Sequence, residues 1–434
     1  MRHTAGQLQM PLTLATPAAL VLSAVTAAAA TAAAGSPPWN GSAVTRDPGY
    51  AKPPCPLHLL PQTAGDESPA ALDGSPFGLY FSPSTTGSTK WTISINGGGW
   101  CYDEEGCYGR SKGSLGTSKG LAKTDWCLCS NVNDAGTDYE HDCNCIRLPY
   151  LDGASFSGFR AKPWPVPGTN ESVYFRGVKN LDGAVDFAFD HGMDKATQFV
   201  LSGGSAGGLS TFLHADRVAD RVKAAAPACK TVRAAPIVGY FLDHDNFAHN
   251  SGSAVPNTPS WKHANYTTWM KYIYTMQNLT FGSDGGLTKT CQTKHPEKPW
   301  LCFMSPHMQD VIQTPFFMFN SKYDAWQLGN EFQSKWATKA EQAGVVKYGK
   351  DFLTQLATVA DDSRANGGMI TSCICHGCPW SDLVLEGKNT YEHYFDWFGG
   401  KTKGGSASMH VDPRLPDGGG ALVGPKFKMC GAYP

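Results

Sequence analysis

Three short apolar segments have the length and the β-branched or aromatic content of buried strands. They span residues 91–96 (WTISIN), 198–202 (QFVLS) and 315–320 (PFFMFN), and each runs directly into a Gly-rich or polar loop. Residues 208–222 follow the second segment and place apolar side chains at helical spacing. This alternation of strand-like and helix-like runs predicts an α/β protein with a mostly parallel sheet. Ligands of such sheets bind at the carboxyl ends of the strands, so functional residues are expected in these loops.

The N-terminal residues 1–34 have the pattern of a secretory signal peptide. Arg2 is accompanied by no acidic side chain in the first ten residues, and residues 11–34 form an alanine-rich apolar run that ends in small residues. The run approaches the length of a membrane span, but Ala and Thr insert weakly into a bilayer. Cleavage near Ala34 is therefore favoured over an uncleaved anchor. No second apolar run reaches spanning length, so the mature chain is expected to have no membrane span.

Composition limits the class of protein. Of the 434 residues, 41% are hydrophobic and 17% are charged, which is sufficient for a large core. Residues 35–55, rich in Pro, Gly and Ser, predict a flexible lead-in, and residues 56–434 predict a single domain without internal repeats. The net charge of −1 excludes a broad nucleic-acid-binding surface. We expect a monomer that does not bind nucleic acid.

The fourteen cysteines indicate disulfides if the chain is exported. Four Asn-X-Ser/Thr sequons, which are glycosylation acceptors, agree with export and begin at Asn40, Asn170, Asn265 and Asn278. Two pairs, Cys101 with Cys107 and Cys291 with Cys302, are close enough in sequence to close local loops. A zinc site is the alternative, and its best case is the segment 373–378 (CICHGC). An oxidising compartment favours disulfides over metal.

The strongest motif is the G-x-S-x-G sequence at residues 203–207, which lies between a predicted strand and a predicted helix. So sharp a turn favours small neighbours, and it places the serine at a helix N-terminus, where N–H groups stabilise negative charge. A turn that only packs the strand against the helix is the alternative. The flanking strand and helix favour Ser205 as a nucleophile.

A serine nucleophile needs a base, and in this type of fold the acid and then the histidine follow it along the chain. Asp324 comes directly after the strand-like segment 315–320 and is the first choice for the acid. It is preferred to Asp310 and Asp362. A capping role in a turn is the alternative for Asp324.

Three histidines follow Asp324. His376 lies among cysteines whose disulfides would hold its loop in place, and it is the expected base. His393 lies in a segment typical of an amphipathic helix, which indicates packing or surface exposure. His410 lies in a Gly- and Ser-rich tail.

Acyl transfer also needs N–H donors directed at the developing oxyanion. Ala206, the residue after the nucleophile, is one expected donor. The segment 95–100 (INGGGW) supplies a Gly-rich loop after an earlier strand, which is the role of the HGGG loop in esterases. Glycines in that loop allow the backbone to approach a substrate closely.

Together these motifs resemble the pectin acetylesterase family, which also contains Notum, an animal carboxylesterase. The resemblance runs in order from about residue 76 to about residue 400. The segments that carry it are 96–101 (NGGGWC), 151–158 (LDGASFSG), 174–177 (YFRG), 201–209 (LSGGSAGGL), 320–327 (NSKYDAWQ) and 372–376 (SCICH). Two details, LHAD at 213–216 and YDAW at 323–326, are more similar to the plant members.

The resemblance implies an α/β-hydrolase fold with Cys-rich loop insertions, a catalytic triad and an oxyanion hole, and it requires no metal or cofactor. The residues it implies are Ser205, His376 and Asp324 for the triad, and the backbone of Gly99, Trp100 and Ala206 for the oxyanion hole.

Substrate contacts are also suggested at a few positions. Trp326, together with Trp100 and Trp126, could stack on sugar rings, with core packing as the alternative. Asp243 keeps an acid in the segment 238–243, which otherwise departs from the usual family pattern.

The resemblance implies a secreted serine esterase, extracellular or in the cell wall, that removes O-acetyl groups from a polysaccharide such as pectin through an acyl-enzyme. One alternative is a Notum-like esterase that acts on a longer acyl chain in a deep apolar pocket. Another is an inactive secreted binding protein, which the complete set of triad and oxyanion residues disfavours.

Overall fold

The computed structural model describes residues 55–62, 67–127, 129, 142–247, 265–280, 285–334, 338–360, 365–377, 383–402 and 405–415. The predicted signal peptide (1–34) and the sequon at Asn40 lie outside the described residues. So does the predicted lead-in, with the exception of Cys55. Cys55 is part of the folded protein, because it begins the first strand and forms a disulfide with Cys127.

The described residues contain the following strands: β1 (Cys55–Leu59), β2 (Gly78–Ser82), β3 (Lys90–Ile95), β4 (Thr124–Asp125), β5 (Asn144–Leu148), β6 (Trp164–Pro165), β7 (Ser172–Val173), β8 (Gln198–Gly204), β9 (Thr231–Ile237), β10 (Phe317–Ser321), β11 (Gly367–Thr371), β12 (Val384–Leu385), β13 (Lys388–Asn389) and β14 (Met409–Val411).

The α-helices of the same residues are α1 (Glu104–Ser111), α2 (Gly177–Asp190), α3 (Ala206–Ala225), α4 (Tyr266–Met276), α5 (Lys289–Lys294), α6 (Ser305–Met308), α7 (Lys339–Leu356) and α8 (Thr390–Phe398). A π-helical turn spans Gln327–Glu331. None of the helices in the described ranges is both long and apolar enough to cross a membrane.

One sheet of ten strands organises the fold. Its order is β14-β11-β10-β9-β8-β3-β5-β2-β1-β4. The strands from β14 to β5 pair in parallel, and β2, β1 and β4 extend the sheet with antiparallel pairs. The prediction of an α/β-hydrolase fold with a mostly parallel sheet is confirmed.

The three strand-like segments of the sequence become β3, β8 and β10, with boundaries shifted by at most two residues. β3 pairs directly with β8, and Ile95 lies opposite Gly203 at their carboxyl ends. β10 is separated from β8 by β9, and on its other side it pairs with β11. Because all these strands are parallel, the loops that follow them meet at one edge of the sheet.

The tail around His410 is ordered, contrary to the appearance of its Gly- and Ser-rich sequence. Met409–Val411 forms β14 in parallel register with β11. The Lys322 ammonium donates to the Asp412 backbone oxygen at 2.7 Å, which ties the tail to β10. These partners are distant in sequence, so local composition does not reveal the strand. His393 is buried in α8, as expected for a packing residue, and its ring lies 3.7 Å from that of His410.

The helix that follows the G-x-S-x-G motif packs very closely on the sheet. Residues 208–222 were expected to be helical, and α3 includes all of them. A Cβ atom at Gly207 would lie 2.3 Å from the Ile95 oxygen and 2.5 Å from the Asn96 oxygen, both backbone atoms. Only glycine therefore allows the first turn of α3 to contact the end of β3.

This contact predicts that alanine substitutions at two glycines of the same motif differ in their effect on stability. Gly207→Ala should lower stability by about 3 kcal/mol, because the new methyl group overlaps backbone atoms that cannot move aside. Gly204→Ala is the matched control, since a Cβ there meets no atom within 4 Å. Denaturant unfolding of both variants measures the difference. Equal stability of the two would contradict the packing described.

Candidate active site

Ser205 occupies the turn between β8 and α3 in a conformation that few side chains adopt. Its φ is 58° and its ψ is −126°. Such a left-handed residue costs about 1–3 kcal/mol and persists only where the surroundings hold it. The Ser205 N–H donates to the Ile237 oxygen at 2.9 Å, and a Cβ at Gly97 would lie 2.6 Å from the Ser205 Cβ. The turn is thus held from β9 on one side and from the loop after β3 on the other.

The structure brings Ser205, His376 and Asp324 together in one chain of hydrogen bonds. The Ser205 hydroxyl lies 2.9 Å from His376 Nε2. The other ring nitrogen, Nδ1, lies 2.8 Å and 3.0 Å from the two carboxylate oxygens of Asp324. The two bonds run in the order nucleophile, imidazole, carboxylate, which is the geometry that lets a histidine act as a base.

Asp324 is fully buried, and the protein fixes its orientation. Its Oδ1 accepts the backbone N–H of Gln327 at 3.0 Å, and the neighbouring Ala325 N–H donates to the Cys375 oxygen at 3.2 Å. The second bond joins the loop after β10 to the loop after β11, which carries His376. Cys373 and Cys375 are both disulfide-bonded. The expected fixing of the His376 loop by disulfides therefore agrees with the structure.

The Gly-rich loop after β3 is held by a charged side chain. Arg110, from α1, donates to the Gly98 oxygen at 2.8 Å and to the Trp100 oxygen at 3.0 Å. A trans peptide points its C=O and the next N–H in opposite directions, so the Gly99 N–H is turned away from the guanidinium. Gly99 itself has φ +64°, a conformation suited to glycine.

The three predicted oxyanion donors are open. Within the described part of the chain, no backbone hydrogen bond is donated by the N–H of Gly99, Trp100 or Ala206. Ala206 is the first residue of α3, where a helix leaves its N–H groups without intrahelical acceptors. Open, preoriented N–H groups beside a serine hydroxyl are what stabilisation of an oxyanion requires.

Both local disulfides suggested by the sequence are present. Cys101 pairs with Cys107, which closes the segment between the Gly-rich loop and α1, and Cys291 pairs with Cys302. The zinc interpretation is wrong for the described cysteines of the segment 373–378, because Cys373 and Cys375 are in disulfides and offer no thiolate.

Aromatic rings pack against one another beside the imidazole. The Trp100 ring centroid lies 4.9 Å from that of Phe241 and 5.3 Å from that of Trp326, and the latter two are 5.4 Å apart. Phe241 and Trp326 each lie 6.4 Å from the His376 ring. Trp100 is only 3% exposed, so its suggested role in stacking on sugars is wrong. Trp326 is half-buried, and Trp126 is 44% exposed.

Asp243, a predicted substrate contact, is occupied by protein partners. Its carboxylate accepts from His307 Nε2 at 2.9 Å and from the Thr267 hydroxyl at 3.0 Å. Burial alone would raise the pKa of Asp243, but the hydrogen bond from His307 and its charge lower it below the usual value. The Asp243 carboxylate thus links the segment after β9 to α4 and α6.

Sequence reasoning missed several polar residues that support these loops. Arg110 is one, and Asp152 and Ser155 are two others, both within the segment 151–158 that carried the family resemblance without a role. Asp152 Oδ2 accepts the N–H groups of Ala154 at 3.1 Å and Phe156 at 2.7 Å, which closes a tight turn around Ser155. The only available signal was that polar residues occur in an otherwise small and apolar motif.

A second buried acid lies near the triad. Glu331, in the π-helical turn, is fully buried and accepts from the Tyr348 hydroxyl at 2.9 Å. Burial raises the pKa of Glu331 well above its usual value, and the charge of Asp324 raises it further. Glu331 is therefore held towards its neutral form.

The fold and this site define a carboxylic ester hydrolase. A family model described as pectinacetylesterase matches residues 51–403. The chain belongs to the pectinacetylesterase family, which confirms the resemblance of its motifs.

Individual relatives agree with this assignment. Pectin acetylesterase 11 of Arabidopsis thaliana is 27% identical over 335 residues, which cover 73% of this chain and 78% of that protein. The palmitoleoyl-protein carboxylesterase NOTUM of Drosophila melanogaster is 26% identical over 264 residues, 59% of this chain and 36% of that protein. The solved structure of the Wnt deacylase Notum from Drosophila has the same fold, with a TM-score of 0.67 and 21% identity, over 82% of this chain and 97% of that one.

Asp152 predicts a pH dependence of stability. Burial raises the pKa of Asp152 from 3.8 to about 6 in the folded protein, against the opposing effect of its backbone hydrogen bonds. The folded state therefore binds the proton more tightly than the unfolded state does. This contribution to stability is full below about pH 4 and is lost as the pH rises to about 6. At 1.36 kcal/mol per pH unit it amounts to roughly 3 kcal/mol.

Asp152→Asn keeps a side-chain oxygen that can accept the two N–H groups, but its amide cannot ionise. The Tm of wild type minus that of the variant should therefore fall between pH 4 and pH 7, and it should be constant above pH 7. Differential scanning calorimetry of both proteins across this range measures the effect. Parallel curves of Tm against pH would show that Asp152 does not titrate as described.

Proposed function

We propose that the protein is a secreted serine esterase that removes O-acetyl groups from a cell-wall type polysaccharide such as pectin. The observation that carries this proposal is the hydrogen-bonded chain Ser205–His376–Asp324, which lies beside the open N–H groups of the Gly-rich loop and of α3. These groups supply the nucleophile, the base and the oxyanion donors of acyl transfer.

In the first half of the reaction, Ser205 Oγ attacks the ester carbonyl while His376 Nε2 takes its proton. The carbonyl oxygen becomes an oxyanion that the N–H groups of Gly99, Trp100 and Ala206 stabilise. The sugar alcohol then leaves with the proton from His376, and the acyl group stays on Ser205. Asp324 keeps the imidazole oriented and stabilises its charged form.

In the second half, water attacks the acyl-enzyme and His376 again acts as the base. A tetrahedral oxyanion forms in the same hole and collapses to acetate, while His376 returns the proton to the leaving Ser205 Oγ. None of these steps requires a metal or a cofactor. Chemistry is thus carried by the chain's own side chains and backbone.

The aromatic packing supports a short acyl group. Trp100 and Phe241 are both buried, and their rings are in contact beside His376. Rings with centroids about 5 Å apart leave no space between them for an alkyl chain. An acetyl group needs only a small space next to the oxyanion donors, whereas a long chain would have to displace these rings.

A sugar-binding surface is supported near the Gly-rich loop. Trp126 is 44% exposed, and its backbone oxygen accepts from Arg147 at 3.1 Å. Arg147 also donates to Asn96 Oδ1 at 3.0 Å, next to the glycines of the oxyanion loop. An exposed indole stacks on sugar rings. The Arg147 guanidinium, which also pairs with the Asp125 carboxylate at 3.1 Å, holds the backbone of this indole beside the Gly-rich loop.

Export is supported by the disulfides and by the N-terminal sequence. Four disulfides join described cysteines, and they persist in an oxidising compartment. The apolar run at residues 11–34 is the pattern of a signal peptide. The acetylated polymer would then be met outside the cell or in the wall.

The proposal predicts that acetate is released from acetylated pectin by wild type and that Ser205→Ala loses this activity by roughly 10³-fold or more. Acetylated xylan and p-nitrophenyl esters of two to sixteen carbons are assayed in parallel. Ser202→Ala, a buried hydroxyl on the preceding strand, is the matched control and should keep activity.

The outcomes separate the alternatives. Acetate release that disappears in Ser205→Ala supports the proposal, and the order of polymers identifies the substrate. A preference for esters of eight or more carbons would replace it with a Notum-like activity on longer acyl chains. A folded wild type that is inactive on every ester would indicate a binding protein.

The proposed fit to a short acyl group predicts that enlarging the site changes the preference for ester chain length. Phe241→Ala removes a ring beside His376, so esters of four to eight carbons should gain about 10-fold or more in kcat/KM relative to acetate. The readout is this ratio within one protein, which does not depend on the amount of folded enzyme. Phe317→Ala, a buried ring in β10 packed on Tyr394, is the control and should leave the ratio unchanged. An unchanged ratio in Phe241→Ala would place the acyl group elsewhere.

A further inference from the structure

Ser155 lies between the two parts of the chain that supply the oxyanion donors. Its hydroxyl accepts the indole N–H of Trp100 at 2.9 Å and donates to the backbone oxygen of Ala206 at 2.8 Å. An indole N–H can only donate and a carbonyl can only accept, so both roles of the hydroxyl are determined. One hydroxyl thus bridges the loop after β3 and the first turn of α3.

The backbone around Ser155 is built to hold that hydroxyl in place. Ser155 has φ 50° and the next residue, Phe156, has φ 58°, both in the left-handed region that side chains rarely adopt. The Ser155 N–H donates to the Tyr150 hydroxyl at 2.8 Å, and Asp152 accepts the N–H groups on either side of it. Ser155 is fully buried, so water does not compete for its two bonds.

Arg110 restrains the same loop from another direction. It holds the carbonyl oxygens of Gly98 and Trp100, while Ser155 holds the Trp100 side chain. The next residue, Cys101, donates its N–H to the Gly153 oxygen at 3.2 Å, which adds a third connection between the loop and the Ser155 turn. The Ser155 hydroxyl continues from this loop to Ala206.

We propose that Ser155 is a positioning residue that fixes the separation of the Trp100 and Ala206 oxyanion donors. This inference rests on the proposed esterase function. Donors stabilise an oxyanion only when they lie about 2.7–3.1 Å from the position it will occupy. The two donors come from distant parts of the chain, so their spacing needs a direct link, and misplacement by about 1 Å can cost on the order of 100-fold in rate.

Two substitutions remove the hydroxyl in different ways. Ser155→Ala keeps the left-handed strain, whereas Ser155→Gly relieves it, since glycine adopts φ 50° without cost. Both should lower kcat for acetate esters by roughly 10- to 100-fold, less than the 10²–10³-fold expected for loss of a donor. KM should change little, because the ground-state carbonyl depends less on the donors than the oxyanion does.

A trifluoromethyl ketone reports on the oxyanion hole directly. Ser205 Oγ bonds to its carbonyl carbon, the serine proton moves to His376, and the carbonyl electron pair makes the oxygen an anion. The hydroxyl pKa of this hemiketal adduct, followed by ¹⁹F NMR, measures how well the donors stabilise the anion. It should rise by about one pH unit in both Ser155 variants, which corresponds to a tenfold loss.

Ser210→Ala is the matched control, because Ser210 is a buried serine of the same helix α3 whose hydroxyl has no partner among the described residues. It should leave kcat and the hemiketal pKa unchanged. Trp100→Phe removes the indole N–H from the other end of the bridge and should raise the hemiketal pKa in the same direction. It provides the test if the Ser155 variants do not fold.

Wild-type kcat and hemiketal pKa in a folded Ser155→Gly variant would overturn the inference. A lower kcat with an unchanged hemiketal pKa would overturn it as well, because the loss would then arise outside the oxyanion hole. The proposed function would stand in both cases. Full activity of Ser205→Ala would instead refute the proposed nucleophile, whatever the Ser155 variants show.

Discussion

The strained turn at Ser205 is the constraint on which the rest of the site depends. A serine with φ 58° is unstable by itself, and it persists because close packing holds the turn. Gly207 lets α3 approach the end of β3, and Gly97 lets the loop after β3 approach Ser205. The same contacts that raise the serine hydroxyl above the sheet therefore bring the oxyanion loop to it.

Buried polar groups then connect loops that the sheet alone would leave independent. Asp324 and His376 follow neighbouring parallel strands, and the Ala325 N–H links their loops. Ser155 and Arg110 perform the same task for the oxyanion loop. Asp324 and Ser155 are fully buried, so their hydrogen bonds are stronger and the loss of these bonds is more costly than at the surface. A site built in this way needs little rearrangement during the reaction.

The relatives of this chain include proteins named for an acetyl substrate and proteins named for a palmitoleoyl substrate. A shared fold therefore does not determine acyl length. In this chain, the space beside the imidazole is taken by contacts between Trp100, Phe241 and Trp326.

The sequence by itself determined the components whose signals are local. The periodicity of residues 91–96 and 198–202 identified two central strands, and the G-x-S-x-G motif with its Gly-rich partner loop predicted Ser205 as the nucleophile together with the oxyanion donors. The order of residues along the chain selected Asp324 and His376. The strand predictions are confirmed and the three side chains lie together in the structure, because each signal depends on neighbouring residues or on the order of elements in this type of fold.

Tertiary structure alone decided the components that depend on contacts between distant segments. The sequence left open whether Trp100 is a surface or a core aromatic, and packing against Phe241 buries it. The tail around His410 becomes a strand only because β11 has an unpaired edge. The roles of Ser155 and Arg110 depend on partners up to 55 residues away, whose carbonyl and indole groups carry no sequence signature. Every residue type offers a backbone carbonyl as an acceptor, so the sequence does not show which one a side chain will bind. That partner becomes visible only when the chain is folded.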